Sequence, residues 1–370
     1  MRILPVSEEN IRLAAEALRG GHLVAFPTET VYGLGADAFN VSALAKVFAA
    51  KRRPRFDPLI IHIAALGDLE RVADLSALER ENREKVRAIT ARLWPGPLTL
   101  ILPKQPEVPD LATSGLPTVA VRFPDHPAAR QLILLSTGAV AAPSANPFGY
   151  LSPTRAEHVR DQLGEEVALI LDGGRTSVGV ESTVLDLCSG PPRILRPGGS
   201  ARERIEGIIG PVEFPVPGEA RSPVPGSPPG RPSSPDRPLS PGQMKSHYAP
   251  RTPLSLHRRE EMITLPDNPA EGFLFFDGPS RTAWLQGSGS LGKDFSPAGA
   301  AENQAPGEGR IRTLSETGDM IEAAANLFDL LHGLDRLGLS RIRAGKVPET
   351  GLGAAVNDRL RRAAAAAPQP

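Results

Sequence analysis

Proline is concentrated in one stretch of this chain, and that stretch limits where a folded core can form. Residues 211–241 hold eleven prolines in 31 positions, with few large apolar side chains. Proline lacks a backbone N–H and holds the chain extended, so this segment can supply neither a helix interior nor a central strand. We expect a semi-stiff linker here, which divides the chain into a first domain at 1–212, a linker at 213–249 and a second domain at 250–370.

Composition excludes several classes of protein. The 370 residues carry 42 basic and 42 acidic side chains, so bulk positive charge cannot hold nucleic acid. One cysteine, Cys188, excludes a disulfide framework and a multi-cysteine zinc site. No apolar run approaches the ~20 residues of a membrane span, and the first residues lack the apolar core of a signal peptide. We therefore expect a cytoplasmic protein with no membrane association.

Apolar periodicity predicts helices that alternate with strands. In the first domain, helices are predicted at 8–19 (capped by Ser7), 41–51 (capped by Asn40), 79–93 and 154–163 (with a Thr154–Glu157 capping box), and strands at 22–26, 59–63, 98–102, 118–123, 167–172 and 182–187. Some of these strands follow one another too closely for a crossover helix, which favours an α/β fold with a mixed sheet.

The second domain is predicted to be a smaller α/β domain with an open sheet. Strands are expected at 272–277 and 341–344, helices at 319–338 and 352–363, and a long loop at 286–310. Its sequence contains no group of residues typical of catalysis. We interpret it as a regulatory domain that covers the first, with the linker controlling access to the first domain.

The segment PTETVYGLG at 27–35 follows a predicted strand directly and carries two threonine hydroxyls, a carboxylate and a phenol. A polar turn after a strand is a common ligand site in α/β proteins. On spacing alone, an ordinary loop in which Thr28 or Thr30 caps a helix is the favoured interpretation.

The segment KRRPR at 51–55 holds four cations in five positions at the end of a predicted helix. Guanidinium groups match phosphate oxygens, so a phosphate site is one interpretation. A solvated basic helix end that complements the helix dipole is the other, and the two are about equally supported. His62, in the apolar strand LIIHI, is by itself more typical of a structural histidine than of a catalytic one.

Three further segments place small polar residues on loops. APSAN at 142–146 leads to a predicted helix N-terminus, and DGG at 172–174 and ILRPG at 194–198 are weak signals individually. The sequence has no GxSxG elbow, no HExxH and no calcium-binding loop, so no motif points to a covalent nucleophile. Hydroxyls, amides and arginines on loops suit positioning of a phosphorylated ligand and stabilisation of its charge.

In combination and in this order, the motifs resemble the YrdC-like family, and within it the two-domain threonylcarbamoyl-AMP synthases. The strings that carry the resemblance are PTETVYGLG (27–35), KxRP with a following PLIIHI (51–63), WPGPLTLIL (94–102), TVAVRFPDH (118–126), APSAN with a following glycine and SPT (142–154), ESTVLD (181–186), ILRPG (194–198), SPGQMKSHYAP (240–250) and VPETGLGAAVNDRLRRAA (347–364). The resemblance implies a twisted mixed sheet with an open concave cleft. It also implies a nucleotidyltransferase that converts ATP, L-threonine and bicarbonate to threonylcarbamoyl-AMP and pyrophosphate.

The resemblance also implies roles for individual residues. Lys51 and Arg53 would be catalytic. The residues that would bind threonine are Thr30, His62, Arg122, Ala142 and Ser182. Those that would bind ATP are Arg53, Asp57, Thr118, Ser144, Asn146, Ser152, Arg196 and Tyr248. Mg2+ would accompany ATP, no protein-held metal is expected, and the product would pass to the machinery that transfers threonylcarbamoyl to tRNA.

The sequence departs from the family pattern at three positions. Arg52 stands where glycine is common, Phe148 where a small hydroxyl residue is frequent, and Asp57 where asparagine is common. Asp57 places a negative charge beside the implied ATP site. A rival interpretation from another class is a non-catalytic protein that binds double-stranded RNA or tRNA through the 51–55 cluster.

The placement of the phosphate site gives the first prediction. Arg53→Ala should abolish synthesis of threonylcarbamoyl-AMP and leave the fold intact, because a cation that stabilises transition-state charge is removed. Activity and circular dichroism are measured on the same preparation. A fully active variant would show that the phosphate site lies elsewhere.

Overall fold

The computed structural model describes residues 2–188, 190–214, 240, 244, 247–288 and 309–365. Most of the predicted linker, and residues 289–308 of the predicted 286–310 loop, lie outside the described residues. The chain forms two compact units. One comprises Met1–Phe148 with Ser152–Gln243, and the other comprises Gly149–Leu151 with Met244–Pro370.

The first unit is a mixed α/β structure, as the sequence predicts. Its strands, in the described residues, are β1 (Arg2–Pro5), β2 (Val24–Phe26), β3 (Gly33–Asp37), β4 (Ile60–Ile63), β5 (Leu98–Pro103), β6 (Thr118–Arg122), β7 (Ala139–Ala141), β8 (Leu169–Asp172), β9 (Thr183–Asp186) and β10 (Arg193–Arg196). The α-helices among the described residues of this unit are α1 (Glu8–Arg19), α2 (Val41–Lys51), α3 (Leu69–Val72), α4 (Arg80–Leu93), α5 (Asp110–Thr113), α6 (Pro127–Leu135), α7 (Ala156–Leu163) and α8 (Arg202–Ile209). Apolar periodicity did not predict the strands β1, β3, β7 and β10 or the helices α3, α5, α6 and α8.

Local capping fixes where the first helices begin. The Ser7 hydroxyl accepts a hydrogen bond from the backbone N–H of Asn10, and the Asn40 amide oxygen accepts one from Ala43, as predicted. The predicted Thr154–Glu157 capping box is wrong. Helix α7 starts at Ala156, and the Thr154 backbone N–H instead donates to the imidazole of His158.

The strands of the first unit form one sheet in the order β1-β8-β2-β3-β7-β4-β6-β5-β9-β10. Parallel and antiparallel neighbours alternate irregularly, so the predicted mixed sheet is confirmed.

The two faces of this sheet are covered differently. One face packs against α2, α4, α7 and α8 in the main core, which includes Leu44, Ile89, Val159 and Ile205. The opposite face is covered by α1 and α6 only around β2 and β8. Farther along this face, a small apolar cluster of Ile60, Ile101, Ala120, Val184, Cys188 and Leu195 draws no member from a described helix. The polar site residues lie beside this cluster.

The second unit contains a four-stranded parallel sheet. Its elements are the strands β11 (Leu254–His257), β12 (Glu271–Asp277), β13 (Ile311–Ser315) and β14 (Arg341–Gly345), and the helices α9 (Arg259–Met262), α10 (Gly278–Gly287), α11 (Met320–Asp335) and α12 (Gly353–Ala364). The strand order is β11-β14-β12-β13, and each pair of neighbouring strands is parallel. The sequence predicted β12, β14, α11 and α12 but not β11, β13, α9 or α10. In the part of the chain that is described, no helix is long and apolar enough to cross a membrane.

A glycine in the loop after β10 holds that loop against the start of β9. A Cβ at Gly198 would lie 2.3 Å from the carbonyl carbon of Ser182 and 2.4 Å from the Glu181 oxygen. We expect Gly198→Ala to lower the free energy of unfolding by about 1–3 kcal/mol, because backbone atoms would have to move. Gly207→Ala is the matched control. It lies in α8 with no atom near its Cβ position, and should gain up to about 1 kcal/mol. A Gly198→Ala chain as stable as the parent in thermal unfolding would contradict this close contact.

Candidate active site

Strand register aligns the candidate site residues in one row across the sheet. His62 on β4 pairs with Arg122 on β6, and Arg122 pairs with Thr99 on β5. Thr99 pairs with Val184 on β9, which in turn pairs with Arg196 on β10. Residues paired in register point to the same face. His62, Arg122, Thr99 and Arg196 therefore share the face that carries the small apolar cluster.

Arg122 is buried in this row and forms an ion pair. One of its terminal nitrogens, Nη2, lies 2.6 Å from Oε1 of Glu29, and the two side chains are 4% and 9% exposed. Its Nε donates a long hydrogen bond of 3.4 Å to the carbonyl of Gly96. Glu29 belongs to the PTETVYGLG segment, but the sequence analysis gave it no role. Its pairing depends on which strands are neighbours, and no local pattern encodes that.

His62 is uncharged at neutral pH. Burial, and after it the Arg122 cation, lower the pKa of its imidazole to about 3, while hydrogen bonds with the backbone of Ile60 and Val140 act in the opposite direction. Its ring meets the ring of Phe26 edge-on, with centroids 6.4 Å apart. A neutral imidazole beside an arginine can accept or donate one hydrogen bond to a ligand.

The loop between β2 and β3 is held by its own hydroxyls. The Thr28 hydroxyl lies 2.8 Å from that of Thr30 and donates to the carbonyl of Val31, and it accepts the backbone N–H of Thr30. Tyr32, at the end of the loop, donates its phenol O–H to the carbonyl of Gly174 at 2.7 Å. The PTETVYGLG and DGG segments, separate in sequence, are thus adjacent. Neither Thr28 nor Thr30 caps a helix, so the ordinary-loop interpretation is wrong in that detail.

Ser182 connects β5 with β10. Its hydroxyl is 2.7 Å from the Thr99 hydroxyl, and its carbonyl accepts two hydrogen bonds from the Arg196 guanidinium, at 2.9 and 3.2 Å. Arg196 is buried. Thr99 belongs to the WPGPLTLIL segment at 94–102. Like Glu29, it was not predicted to be a site residue.

Lys51 ends α2 and is also buried. Its ammonium donates to the carbonyls of Ser144, at 2.6 Å, and Asn146. Burial lowers the pKa of Lys51 well below its ordinary value, and the Arg53 cation adds to this. The lysine thereby fixes the 142–146 turn, in which the Ala142 N–H donates to the carbonyl of Ile60 on β4.

Arg53 and Asp57 form a second buried ion pair. Arg53 Nη2 is 2.9 Å from Oδ2 of Asp57, and the two side chains are 4% and 0% exposed. Arg53 also donates to the carbonyls of Asp57 and Pro58, at 3.0 and 2.8 Å. Burial raises the pKa of Asp57, while the cations Arg53, Lys51 and Arg196 oppose the rise. Three cations from two segments, Lys51 and Arg53 of the 51–55 cluster and Arg196 at the end of β10, therefore act electrostatically on this one carboxylate.

The other predicted residues have different surroundings. The Ser152 hydroxyl donates to Glu181, a second buried carboxylate, which belongs to the ESTVLD string and was assigned no role. Thr118 opens β6 on the same face as Arg122. Tyr248 belongs to the second unit, where its buried ring lies 5.7 Å from the Phe328 ring and 5.2 Å from the Arg359 guanidinium. The assignment of all these residues to threonine or ATP stays a prediction.

The 51–55 cluster is not a solvated helix end. Lys51 and Arg53 are buried, and only Arg52 and Arg55 are exposed. Arg52 adopts a left-handed backbone conformation with φ 49°, the conformation that glycine adopts most easily. Buried cations that face carbonyls and one carboxylate can accept an additional anion, and a phosphate group matches their geometry.

The chain is similar to known proteins over almost its whole length. A family model described as "Telomere recombination" matches residues 16–198, and one described as "Threonylcarbamoyl-AMP synthase, C-terminal domain" matches residues 201–365. A threonylcarbamoyl-AMP synthase of Pyrococcus abyssi is 41% identical over 97% of this chain and 95% of its own length. One of Bacillus subtilis is 39% identical over 98% and 94%. The crystal structure of P. abyssi Sua5 complexed with L-threonine matches with a TM-score of 0.79, at 38% identity over 98% of each chain.

The Arg53–Asp57 pair changes the expectation for Arg53→Ala. Removal of Arg53 alone leaves a fully buried carboxylate without its ion-pair partner, and breaking a buried pair in this way costs about 3–5 kcal/mol. The sequence predicted that Arg53→Ala is inactive but folded. We now expect this result in the double variant Arg53→Ala with Asp57→Asn, because the second substitution removes the unpaired buried charge. If the single variant melts at the parental temperature, the pair contributes nothing to stability.

Protonation of His62 gives a pH prediction. The folded pKa of about 3 lies below the unfolded value of 6.5, so the unfolded chain takes up the proton first. The neutral His62 therefore contributes to the free energy of unfolding, fully above pH 6.5, and this contribution is lost as the pH falls toward 3. Between about pH 7.5 and about pH 5.5, the parent should lose about 1.4 kcal/mol more stability than His62→Gln. Urea unfolding at both pH values measures this loss. Equal losses would show that His62 titrates normally.

Proposed function

The chain belongs to the threonylcarbamoyl-AMP synthase family, and from that premise we propose that it makes threonylcarbamoyl-AMP and pyrophosphate from ATP, L-threonine and bicarbonate. The membership confirms the predicted resemblance and the prediction of an enzyme. It extends over both units, because the P. abyssi and B. subtilis relatives match almost from end to end. The structurally similar P. abyssi protein binds L-threonine, which supports threonine as a substrate of this chain.

One observation carries the proposal: the buried cations Lys51, Arg53 and Arg196 all act electrostatically on Asp57, and Arg196 lies in the same row as His62, Arg122 and Thr99. In the proposed reaction the threonine ammonium first loses a proton, and the resulting amine combines with bicarbonate to give an N-carboxylate and water. That carboxylate attacks the α-phosphorus of ATP, and pyrophosphate leaves. Negative charge collects on phosphate oxygens, so fixed cations are the main contribution a protein can make.

Different residues would bind the amino acid and the nucleotide. Arg122, the neutral His62, Thr30 and Ser182 would hold the amino acid on one side. Arg53 and Arg196 would face the phosphates, and Asn146 and Ser152 would hold the nucleotide on the other side. Lys51, already hydrogen bonded to the 144–146 backbone, would fix the loop between the two substrates. Tight positioning is worth several orders of magnitude in rate for a step with two reactants.

Mg2+ would enter as part of the ATP substrate, as a partner of the pyrophosphate oxygens. The residues fit this arrangement better than a protein-held ion. In the described ranges, no group of three His, Cys, Asp or Glu side chains could ligate a metal. The Asp57 carboxylate is occupied by Arg53.

The product would be consumed by the machinery that transfers threonylcarbamoyl to tRNA, and a cytoplasmic site for both steps is part of the proposal. The rival interpretation, a non-catalytic binder of double-stranded RNA or tRNA, is not favoured. It relied on the 51–55 cluster, in which Lys51 and Arg53 are buried and hydrogen bonded within the protein. Direct contact with RNA would need exposed cations.

The test of the proposal is the substrate dependence of pyrophosphate release. With Mg-ATP, pyrophosphate should appear only when both L-threonine and bicarbonate are present, together with an adenylate that contains threonine. L-valine, which lacks the hydroxyl but has a similar shape, is the control amino acid and should release far less. Pyrophosphate release indifferent to threonine or bicarbonate would overturn the proposal. RNA affinity with a steep salt dependence and no turnover would support the rival.

A further inference from the structure

Glu29 has hydrogen-bonding capacity that the protein does not use. Its carboxylate is 9% exposed and lies 2.6 Å from Arg122 Nη2, yet neither carboxylate oxygen accepts a hydrogen bond from any described residue. Arg122 Nη2 likewise donates none. The contact is thus an ion pair without hydrogen-bond geometry. A buried carboxylate normally accepts two or more hydrogen bonds, and leaving these unmade is costly.

The backbone keeps this carboxylate in place. The carbonyl of Glu29 accepts the N–H of Val178 at 2.8 Å, and the next residue, Thr30, donates its N–H to the Thr28 hydroxyl. Three residues on, the N–H of Tyr32 donates to the carbonyl of Pro153 at 2.8 Å. With bonds on both sides, the loop cannot easily turn the side chain away from the site.

The surroundings of Glu29 are those of the proposed amino-acid site. It precedes Thr30 and contacts Arg122, and Arg122 pairs in register with His62. Glu29 also acts electrostatically on His126, which lies after β6. An arginine and a carboxylate side by side, each with unused hydrogen-bonding positions, are complementary to an α-amino acid zwitterion. The arginine suits the α-carboxylate, and the glutamate suits the α-ammonium with its three donors.

We infer that Glu29 binds the α-ammonium of the substrate amino acid and so orients the nitrogen that must meet bicarbonate. This inference rests on the proposed function, and it assigns a substrate-binding residue that the sequence motifs did not single out. Without substrate, Glu29 and Arg122 neutralise each other. With substrate, each gains an ionic partner that supplies hydrogen bonds, so the site accepts the zwitterion with little change in net charge.

The test compares a ligand that has the amine with one that lacks it, in chains with and without the Glu29 charge. Calorimetry on the full chain compares L-threonine with 2,3-dihydroxybutanoate, in which a hydroxyl replaces the amine. The parent should bind threonine at least about tenfold more tightly than this analogue, because a charged hydrogen bond is lost. In Glu29→Gln that ratio should fall close to one. The KM for threonine should rise while the KM for ATP stays unchanged.

Glu181→Gln is the matched control, because it is also a buried carboxylate of the first unit and bonds to Ser152. It should keep the parental ratio between the two ligands. A parental ratio in Glu29→Gln overturns the inference. If Glu29→Gln does not fold, Glu29→Asp takes its place. Aspartate keeps the charge, but its side chain is one methylene shorter, so threonine should bind more weakly. Undiminished threonine affinity in Glu29→Asp would overturn the inference.

A failure of the proposed function can be distinguished from a failure of the role inferred for Glu29. If the parent releases no pyrophosphate with all three substrates, the proposed function is wrong. If the parent is active and Glu29→Gln still discriminates against the analogue, only the role of Glu29 is wrong.

Discussion

Four cations held out of water on or beside one face of the ten-stranded sheet determine much of the first unit. Lys51, Arg53, Arg122 and Arg196 are all at least nine-tenths buried, and each reaches a carboxylate or a backbone carbonyl. An unpaired ion in such a place costs several kcal/mol. The loops that present these partners must therefore keep their positions, and that requirement connects the fold to the chemistry.

The same requirement explains why the site is assembled from strand ends and not from one motif. Register places His62, Arg122, Thr99 and Arg196 in a row. The loops after β2 and β7, and Ser182 directly before β9, then supply oxygens to the cations. The opposite face is closed by helices, which leaves this face for ligands. A phosphate brought to the site would meet cations that are already oriented, so little reorganisation is needed when charge develops.

Local features of the sequence predicted part of this. The caps at Ser7 and Asn40 are local interactions, and both helices begin as expected. The three-residue strand β7 has too few residues to show a period, so it was missed. The ordered motifs identified the family and the cations. They did not reveal that Glu29 meets Arg122, or that Asp57 is enclosed by Arg53, because those contacts follow from which strands and loops become neighbours.

The central claim is that the buried Arg122–Glu29 pair opens to receive an amino acid. A crystal structure of this chain with L-threonine and a non-hydrolysable ATP analogue tests it most directly. We predict that the α-carboxylate lies within hydrogen-bond distance of Arg122, and the α-ammonium within hydrogen-bond distance of Glu29. Threonine bound elsewhere, with the 2.6 Å contact between Arg122 and Glu29 unchanged, would contradict the account.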